Sequence, residues 1–244
     1  MTRALSIAAI ALASCGRPAS GGDDPQRQPP EPARFDKPAM VQFHMRRQLD
    51  DLRKVERLLV AGKLEDAKAW AAALVQAAPD PGMARWQREV DDVTEAARGL
   101  VAAPSIDEAC RREAQLAEAC AWCHLHTQQP ARFAVPAAPP ADQPTQAARM
   151  ARHQWAVDRL WEGLVGPSDH RWHSGLDVLA TTPLPFPRLT DAPQLASQLQ
   201  TFAQSAIAQL ATDALDDRAH RYGEMLVMCA ACHSTLQAGS AVRR

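Results

Sequence analysis

Residues 45–59 read MRRQLDDLRKVERLL, and their apolar side chains recur every three or four positions. Met45, Leu49, Leu52, Val55 and Leu59 therefore share one face of a helix, which predicts an amphipathic α-helix packed on a core. The wider composition agrees, since Ala, Leu, Gln, Glu and Arg are abundant and favour helices. Isoleucine, a strand former, occurs beyond residue 15 only at positions 106 and 207. The sequence predicts an all-α protein.

The same pattern occurs twice. Residues 120–124 read CAWCH and residues 229–233 read CAACH, while VERL at 55–58 is matched by VDRL at 157–160. Trp70 and Trp172 also recur at one position, which predicts that both tryptophans pack in a core. We infer a duplicated module of about ninety residues.

Breaks in periodicity divide each module into four helices. In the first module, Gly62 and Pro79-Asp80-Pro81-Gly82 separate helices at 64–77 and 83–101, and Ser105 with Glu108 resembles a capping box that opens the fourth. The second module has a break at Gly166-Pro167 and predicted helices at 169–180, 191–212 and 214–236. Short connections favour antiparallel neighbours. The prediction is two tandem four-helix bundles (40–127 and 145–236) joined by a proline-rich linker (128–144), with a tail at 237–244.

The cysteine pairs carry the clearest chemical signal. Cys120 and Cys123 are followed by His124, and Cys229 and Cys232 are followed by His233. Cys-x-x-Cys-His is the attachment sequence of c-type haem. On a helical turn this spacing brings two thiols to the two porphyrin vinyl groups and the histidine to the iron. The sequence predicts two covalent haems with His124 and His233 as proximal iron ligands.

Other uses of paired cysteines fit less well. A zinc site of four thiolates would join pairs 109 residues apart, and zinc does not require the repeated histidine. Cysteines three apart on a helix are poorly placed for a disulfide, and a thioredoxin-like pair would follow a strand. Cys110 lacks a repeated counterpart, which predicts a buried free thiol.

On these motifs the chain resembles the cytochrome c-prime superfamily, whose four-helix bundles carry Cys-x-x-Cys-His near the end of the last helix. The resemblance implies, for low-spin relatives, a methionine from the first helix as the sixth iron ligand. Met45 and Met150 hold that stripe position in both modules. His44 and His153 are the alternative ligands, and packing of the methionines in the core without ligation is the other interpretation.

The amino terminus looks like an export signal. Residues 4–13 form an apolar run of ten behind Arg3, too short for a bilayer that needs about 20 residues. The run ends in LASCG at 12–16, which resembles the bacterial lipoprotein signal box. That resemblance implies a signal peptide at 1–14, a diacylglycerol on Cys15 and, because Gly16 is not aspartate, an outer-membrane anchor. An ordinary secretory signal is the alternative, and both export the chain.

Residues 16–38 hold six prolines and three glycines, which predicts that residues 15–39 form a disordered, lipidated tether. The net charge of −1 over 244 residues disfavours nucleic acid as a partner. The expected function is one-electron transfer between redox proteins on the periplasmic side of a membrane surface, without catalysis. A gas-binding protein with five-coordinate iron and a dihaem peroxidase-type enzyme are the alternatives.

Overall fold

The computed structural model describes residues 37–76, 80–183, 192–209 and 214–241. Those ranges contain eight α-helices and no strand, which confirms the all-α prediction. The helices are α1 (Lys37–Val60), α2 (Leu64–Gln76), α3 (Gln87–Val101), α4 (Ile106–Thr127), α5 (Gln146–Val165), α6 (Asp169–Thr181), α7 (Ala192–Ala208) and α8 (Leu215–Ala241). The predicted signal peptide, Cys15 and most of the predicted tether lie outside the described residues, as do the last three residues of the tail. Across the described helices, none is both long and apolar enough to cross a membrane.

Local side chains begin several helices. Ser105, Thr145 and Ser168 each accept a hydrogen bond from the backbone N–H three residues later, and so cap α4, α5 and α6. The predicted cap at Ser105 is confirmed, but Glu108 does not complete a capping box. Its carboxylate accepts a hydrogen bond from Arg112 Nε at 2.7 Å instead, one turn further along α4.

Three helix boundaries differ from the predicted ones by four residues or more, and one of them is the end of α7, at Ala208 rather than at residue 212. A 3₁₀ turn over Pro81–Trp86 precedes α3, so this helix begins at Gln87 rather than at residue 83. The turn is stabilised at its start, where the Asp80 carboxylate accepts a hydrogen bond from Gly82 N at 2.7 Å. At the other end of the chain, α8 continues to Ala241, beyond the predicted end at residue 236.

The described residues form one compact unit. Within it, α1 to α4 pack in chain order and α4 returns to α1, while α5 to α8 repeat the same order and α8 returns to α5. The two sets share an extensive contact of α4 with α8, supplemented by α1 against α8 and α4 against α5. One continuous core runs through both sets, from Leu52 and Leu116 to Trp161 and Leu226.

The proline-rich segment between α4 and α5 has no regular secondary structure. It nevertheless lies against the second set of helices. Trp155 Nε1 donates to the carbonyl of Ala137 at 2.9 Å, and the Phe133 ring meets the edge of Trp161 at 6.2 Å between centroids. This segment is therefore held along α5.

The two recurring tryptophans do not share one environment. Trp172 is 1% exposed, as predicted, but Trp70 is 41% exposed, so the prediction of a core position for Trp70 is wrong. Helix α2 buries the small residues Ala67 and Ala71 instead. The Trp70 ring lies on the surface, with Lys54 Nζ 6.0 Å from its centroid.

Gly163 permits the close approach of α5 to the backbone of α6 at Trp172. A Cβ atom at residue 163 would lie 2.5 Å from the backbone nitrogen of Trp172, which is too close for any side chain. We expect Gly163→Ala to push α5 and α6 apart and lower the free energy of unfolding by about 1–3 kcal/mol. Chemical denaturation followed by circular dichroism measures the change.

Gly99→Ala is the matched control, because its Cβ atom would lie 3.6 Å from Arg112 Cδ, an ordinary contact. Alanine is a better helix former than glycine, so the free energy of unfolding of this variant is expected to rise by up to about 1 kcal/mol. Equal destabilisation of both variants would contradict the close approach of α5 to α6.

Candidate functional site

The first cysteine pair borders a small apolar cavity of about 60 Å³ between α1, α2, α3 and α4. Cys120, Cys123 and His124 enter it from α4, and His44, Met45 and Gln48 from α1. The remaining lining is Leu52, Leu74, Met83, Val90, Val93, Thr94 and Ala97. The structure thus brings the first predicted attachment motif together with both predicted sixth-ligand candidates of the first module.

His124 is oriented by the chain that follows it. Gln128 adopts a left-handed conformation (φ 56°) at the end of α4, which turns the backbone back on the helix. The Gln129 carbonyl then lies 2.6 Å from His124 Nδ1. Because a carbonyl only accepts, Nδ1 carries the hydrogen in this contact, and the Nε2 lone pair remains available to a metal. Burial lowers the pKa of His124, which favours the neutral imidazole that binds metals.

The second cysteine pair borders a larger cavity of about 320 Å³. Cys229, Cys232 and His233 enter it from α8, and Met150 and His153 from α5. The rest of the lining is Glu56, Arg57, Val60, Ala61, Gln154, Val157, Leu179, Leu195, Ala196, Leu199, Met225 and Met228. The structure therefore also brings the second motif together with the two predicted sixth-ligand candidates of the second module.

The two cavities differ in how they are built. All residues around the first belong to α1–α4 and the 3₁₀ turn, whereas α1 supplies Glu56, Arg57 and Val60 to the second, and the turn after α1 supplies Ala61. The carboxyl-terminal part of α1 passes the second cavity because α1 packs on α8 as well as on its own set. The second site is completed by a helix from the other half of the sequence.

All four motif cysteines have pKa values raised above the ordinary value of a thiol. Burial raises the pKa of Cys120 and Cys229 to about 12 and that of Cys123 to about 11, and it raises the pKa of Cys232 as well. A thiol-redox pair needs a lowered pKa to supply the reactive thiolate. The two pairs also border different cavities, so they do not form one four-thiolate zinc site.

The candidate sixth ligands are not equivalent. Met45 and Met150 are half-buried at the cavity walls. His153 Nε2 lies 2.8 Å from the Thr182 carbonyl, which occupies that nitrogen and leaves only Nδ1, the ring nitrogen nearer the backbone. His44 has its pKa lowered, first by burial, and remains open to the first cavity.

No known protein family matches this chain, and neither a curated protein nor a solved structure does. The chemistry of the site therefore rests on its own residues.

The residues of both cavities fit a haem in type. Each supplies two adjacent thiols, an imidazole, a thioether and a mostly apolar wall, and among the described residues no cluster of three or more His, Cys, Asp or Glu side chains offers a site for a bare metal ion. The second cavity has the size of a ligand pocket, about 300–1,000 Å³, whereas the first is smaller and must widen.

Two buried acids near the cavities were missed by sequence reasoning. Glu56 and Glu113 are 4% and 0% exposed. The sequence contains a signal for Glu56 only. This residue directly follows the apolar stripe residue Val55, and the matching stretch of the second half has the acidic residue Asp158 at that position. Cys110 is buried and free as predicted.

Proposed function

We propose that this protein is a dihaem c-type cytochrome that transfers single electrons in the bacterial envelope. One observation carries the proposal: each Cys-x-x-Cys-His motif borders an apolar cavity that also receives a methionine from the first helix of the same half. Two independent instances of one ligand set, built at equivalent positions of a repeat, are the arrangement that a pair of haems requires.

Cys120 and Cys123 would hold the first haem through thioethers, and Cys229 and Cys232 the second. His124 and His233 would bind the iron on the proximal side, with Met45 and Met150 on the distal side. When bound, haem supplies one-electron chemistry through the Fe(III)/Fe(II) couple. The chain's own residues exclude water and hold the ligands in place, and the Gln129 carbonyl orients His124 as a partner outside the ligand set.

At the second site, methionine is favoured over histidine as the sixth ligand because His153 is already engaged by the Thr182 carbonyl. At the first site, Met45 is favoured because it corresponds to Met150 in the other half of the sequence. Thioether ligation stabilises Fe(II) and raises the potential relative to two imidazoles. A filled sixth position leaves no open iron for a gas or for peroxide, which is why electron transfer is proposed over both alternatives.

The proposal extends to the organisation of the chain. The sets α1–α4 and α5–α8 would be two tandem four-helix modules of the cytochrome c-prime type, arisen by duplication and fused through α4 and α8. Export, a lipid on Cys15 and redox proteins of the envelope as partners are part of the same proposal. They are supported by the amino-terminal sequence and by the need of c-type haem for maturation outside the cytoplasm.

Mass spectrometry of the protein matured in a bacterial periplasm tests the proposal. A mass increase equal to two haems supports it, and unmodified thiols would overturn it. The absorption spectrum of the ferrous protein then separates the functions. Sharp low-spin bands unchanged by carbon monoxide indicate electron transfer, whereas a high-spin spectrum that shifts with carbon monoxide would favour a gas-binding protein or, if peroxide is consumed, a peroxidase.

Removal of each distal methionine should open one iron. We expect Met45→Ala and Met150→Ala each to convert about half of the ferrous spectrum to a high-spin form that binds carbon monoxide, because one of two thioether ligands is lost. Met83→Ala and Met228→Ala are matched controls, since these methionines border the same two cavities. If a control variant opens its iron and the corresponding Met45 or Met150 variant does not, the ligand assignment is wrong.

A further inference from the structure

Two carboxyl groups lie in the core where α1, α4, α5 and α8 meet. Glu56 comes from α1 and Glu113 from α4, and both are buried. Trp161 Nε1 of α5 donates to Glu113 Oε1 at 3.3 Å, but Glu113 Oε2 has no hydrogen-bond partner within the described part of the chain. The hydroxyl of Tyr222, from α8, is buried beside Glu56 and favours its carboxylate form as a hydrogen-bond donor.

Among the described residues, no cation forms an ion pair with Glu56 or Glu113. Arg53, the cation that acts most strongly on Glu56, donates to Asp158 Oδ1 and to Glu162 Oε1, each at 3.1 Å. Arg57 is exposed at the surface. The pair therefore lacks the ion-pair partner that a buried charge normally needs.

Two buried carboxylates without a cation partner do not both ionise at neutral pH. Burial, and then the charge of Asp158, raise the pKa of Glu56 to about 7. Burial, and then the charge of Glu56, raise the pKa of Glu113 well above its usual range. The two groups titrate as one system that retains a proton near neutral pH.

The acid pair lies between the two haem motifs. Glu113 is two helical turns before Cys120 on α4, and after burial and Cys123 its charge is the next contribution to the raised pKa of that thiol. Glu56 borders the second cavity, and its charge contributes, after burial and Cys232, to the raised pKa of Cys229. A change of charge in either cavity therefore alters the pKa values of Glu56 and Glu113.

We propose that Glu56 and Glu113 form a proton-binding site that takes up one proton when the protein accepts an electron. The inference rests on the proposed function. One electron arrives from a one-electron donor protein, and one proton arrives from water and forms an O–H bond on a carboxylate oxygen. The negative charge of the electron is thereby balanced in the core, and no other bond breaks in the protein.

The surrounding charged and titratable groups set the pH at which this proton is taken up and released. Those that face the pair are Arg53 and Arg57 from α1, Cys110 and Cys120 from α4, Asp158 from α5, and Tyr222 and Cys229 from α8. Arg53, the Tyr222 hydroxyl and Arg57 lower the pKa of Glu56, yet burial has the largest effect. The exchange is accordingly expected around neutral pH.

Potentiometric titration of the dihaem protein between pH 5 and pH 9 tests the inference. For one electron coupled to one proton, the midpoint potential of one haem is expected to fall by about 59 mV for each tenfold fall in proton concentration. A reduced-minus-oxidised infrared spectrum near pH 7 should show a gained carboxylic acid band. A flat potential, or no such band, in the wild-type protein overturns the inference.

Glu56→Gln and Glu113→Gln keep the side-chain size and remove one titrating group each. Both variants should lose the infrared band and most of the pH dependence, whereas Glu65→Gln, at an exposed position on α2, should retain both. A protein without covalent haem would overturn this inference together with the proposed function. A haem-loaded protein with pH-independent potentials would overturn this inference alone.

Discussion

A Cys229→Ala/Cys232→Ala variant is expected to mature with one covalent haem instead of two. Both thioether bonds of the second site are lost, whereas Cys120 and Cys123 border a separate cavity and are unaffected. Intact-mass measurement should show the loss of one haem, and haem absorbance per protein should halve. The reciprocal variant, Cys120→Ala/Cys123→Ala, should give the same mass with the other haem retained.

Cys110→Ala is the matched control for this experiment. Cys110 is as buried as the core around it and lies close enough to Cys229 to interact electrostatically, but it belongs to neither motif. It should retain two haems. Loss of haem from the control, or an unchanged mass in the double variants, would show that the thiols are not used as proposed.

Glu162→Gln is expected to be strongly destabilising. Its carboxylate is 6% exposed and accepts hydrogen bonds from Arg53 at 3.1 Å and Arg159 at 2.6 Å through Oε1, and from Arg171 through Oε2. A neutral amide leaves three guanidinium groups without their common counter-charge. Since breaking a buried ion pair costs several kcal/mol, we expect a loss of about 3 kcal/mol in the free energy of unfolding.

Thermal and denaturant unfolding measure this effect. Glu95→Gln is the control, because Glu95 pairs with Arg98 at 3.0 Å on the same helix but is 75% exposed. Loss of this exposed ion pair should lower the free energy of unfolding by less than about 0.5 kcal/mol. Similar stabilities for both variants would mean that the Glu162 cluster does not tie α1, α5 and α6 together.

Helix positions were predictable because they depend on neighbouring residues. The stripe from Met45 to Leu59 specifies α1, and Ser105 supplies its own hydrogen bond to the start of α4. The 3₁₀ turn before α3 was missed, since the Asp80 contact with Gly82 favours a tighter turn without altering the apolar period.

Burial was predicted less well. Trp70 and Trp172 recur at matching positions of the sequence, but only Trp172 lies where a glycine, Gly163, lets a neighbouring helix come close to its backbone. The prediction for Trp70 was wrong because exposure is decided by the facing helix, which the spacing of a motif does not reveal.

In the two candidate sites, too, contacts between residues near in sequence were predictable, and contacts between distant residues were not. Spacing within five residues was enough to join Cys229, Cys232 and His233, because a helical turn fixes their separation. The α1 wall of the second cavity and the meeting of Glu56 with Glu113 needed the packing of α1, α4, α5 and α8. Backbone geometry acts over a few residues, whereas contacts between residues far apart in the chain exist only once the helices have packed.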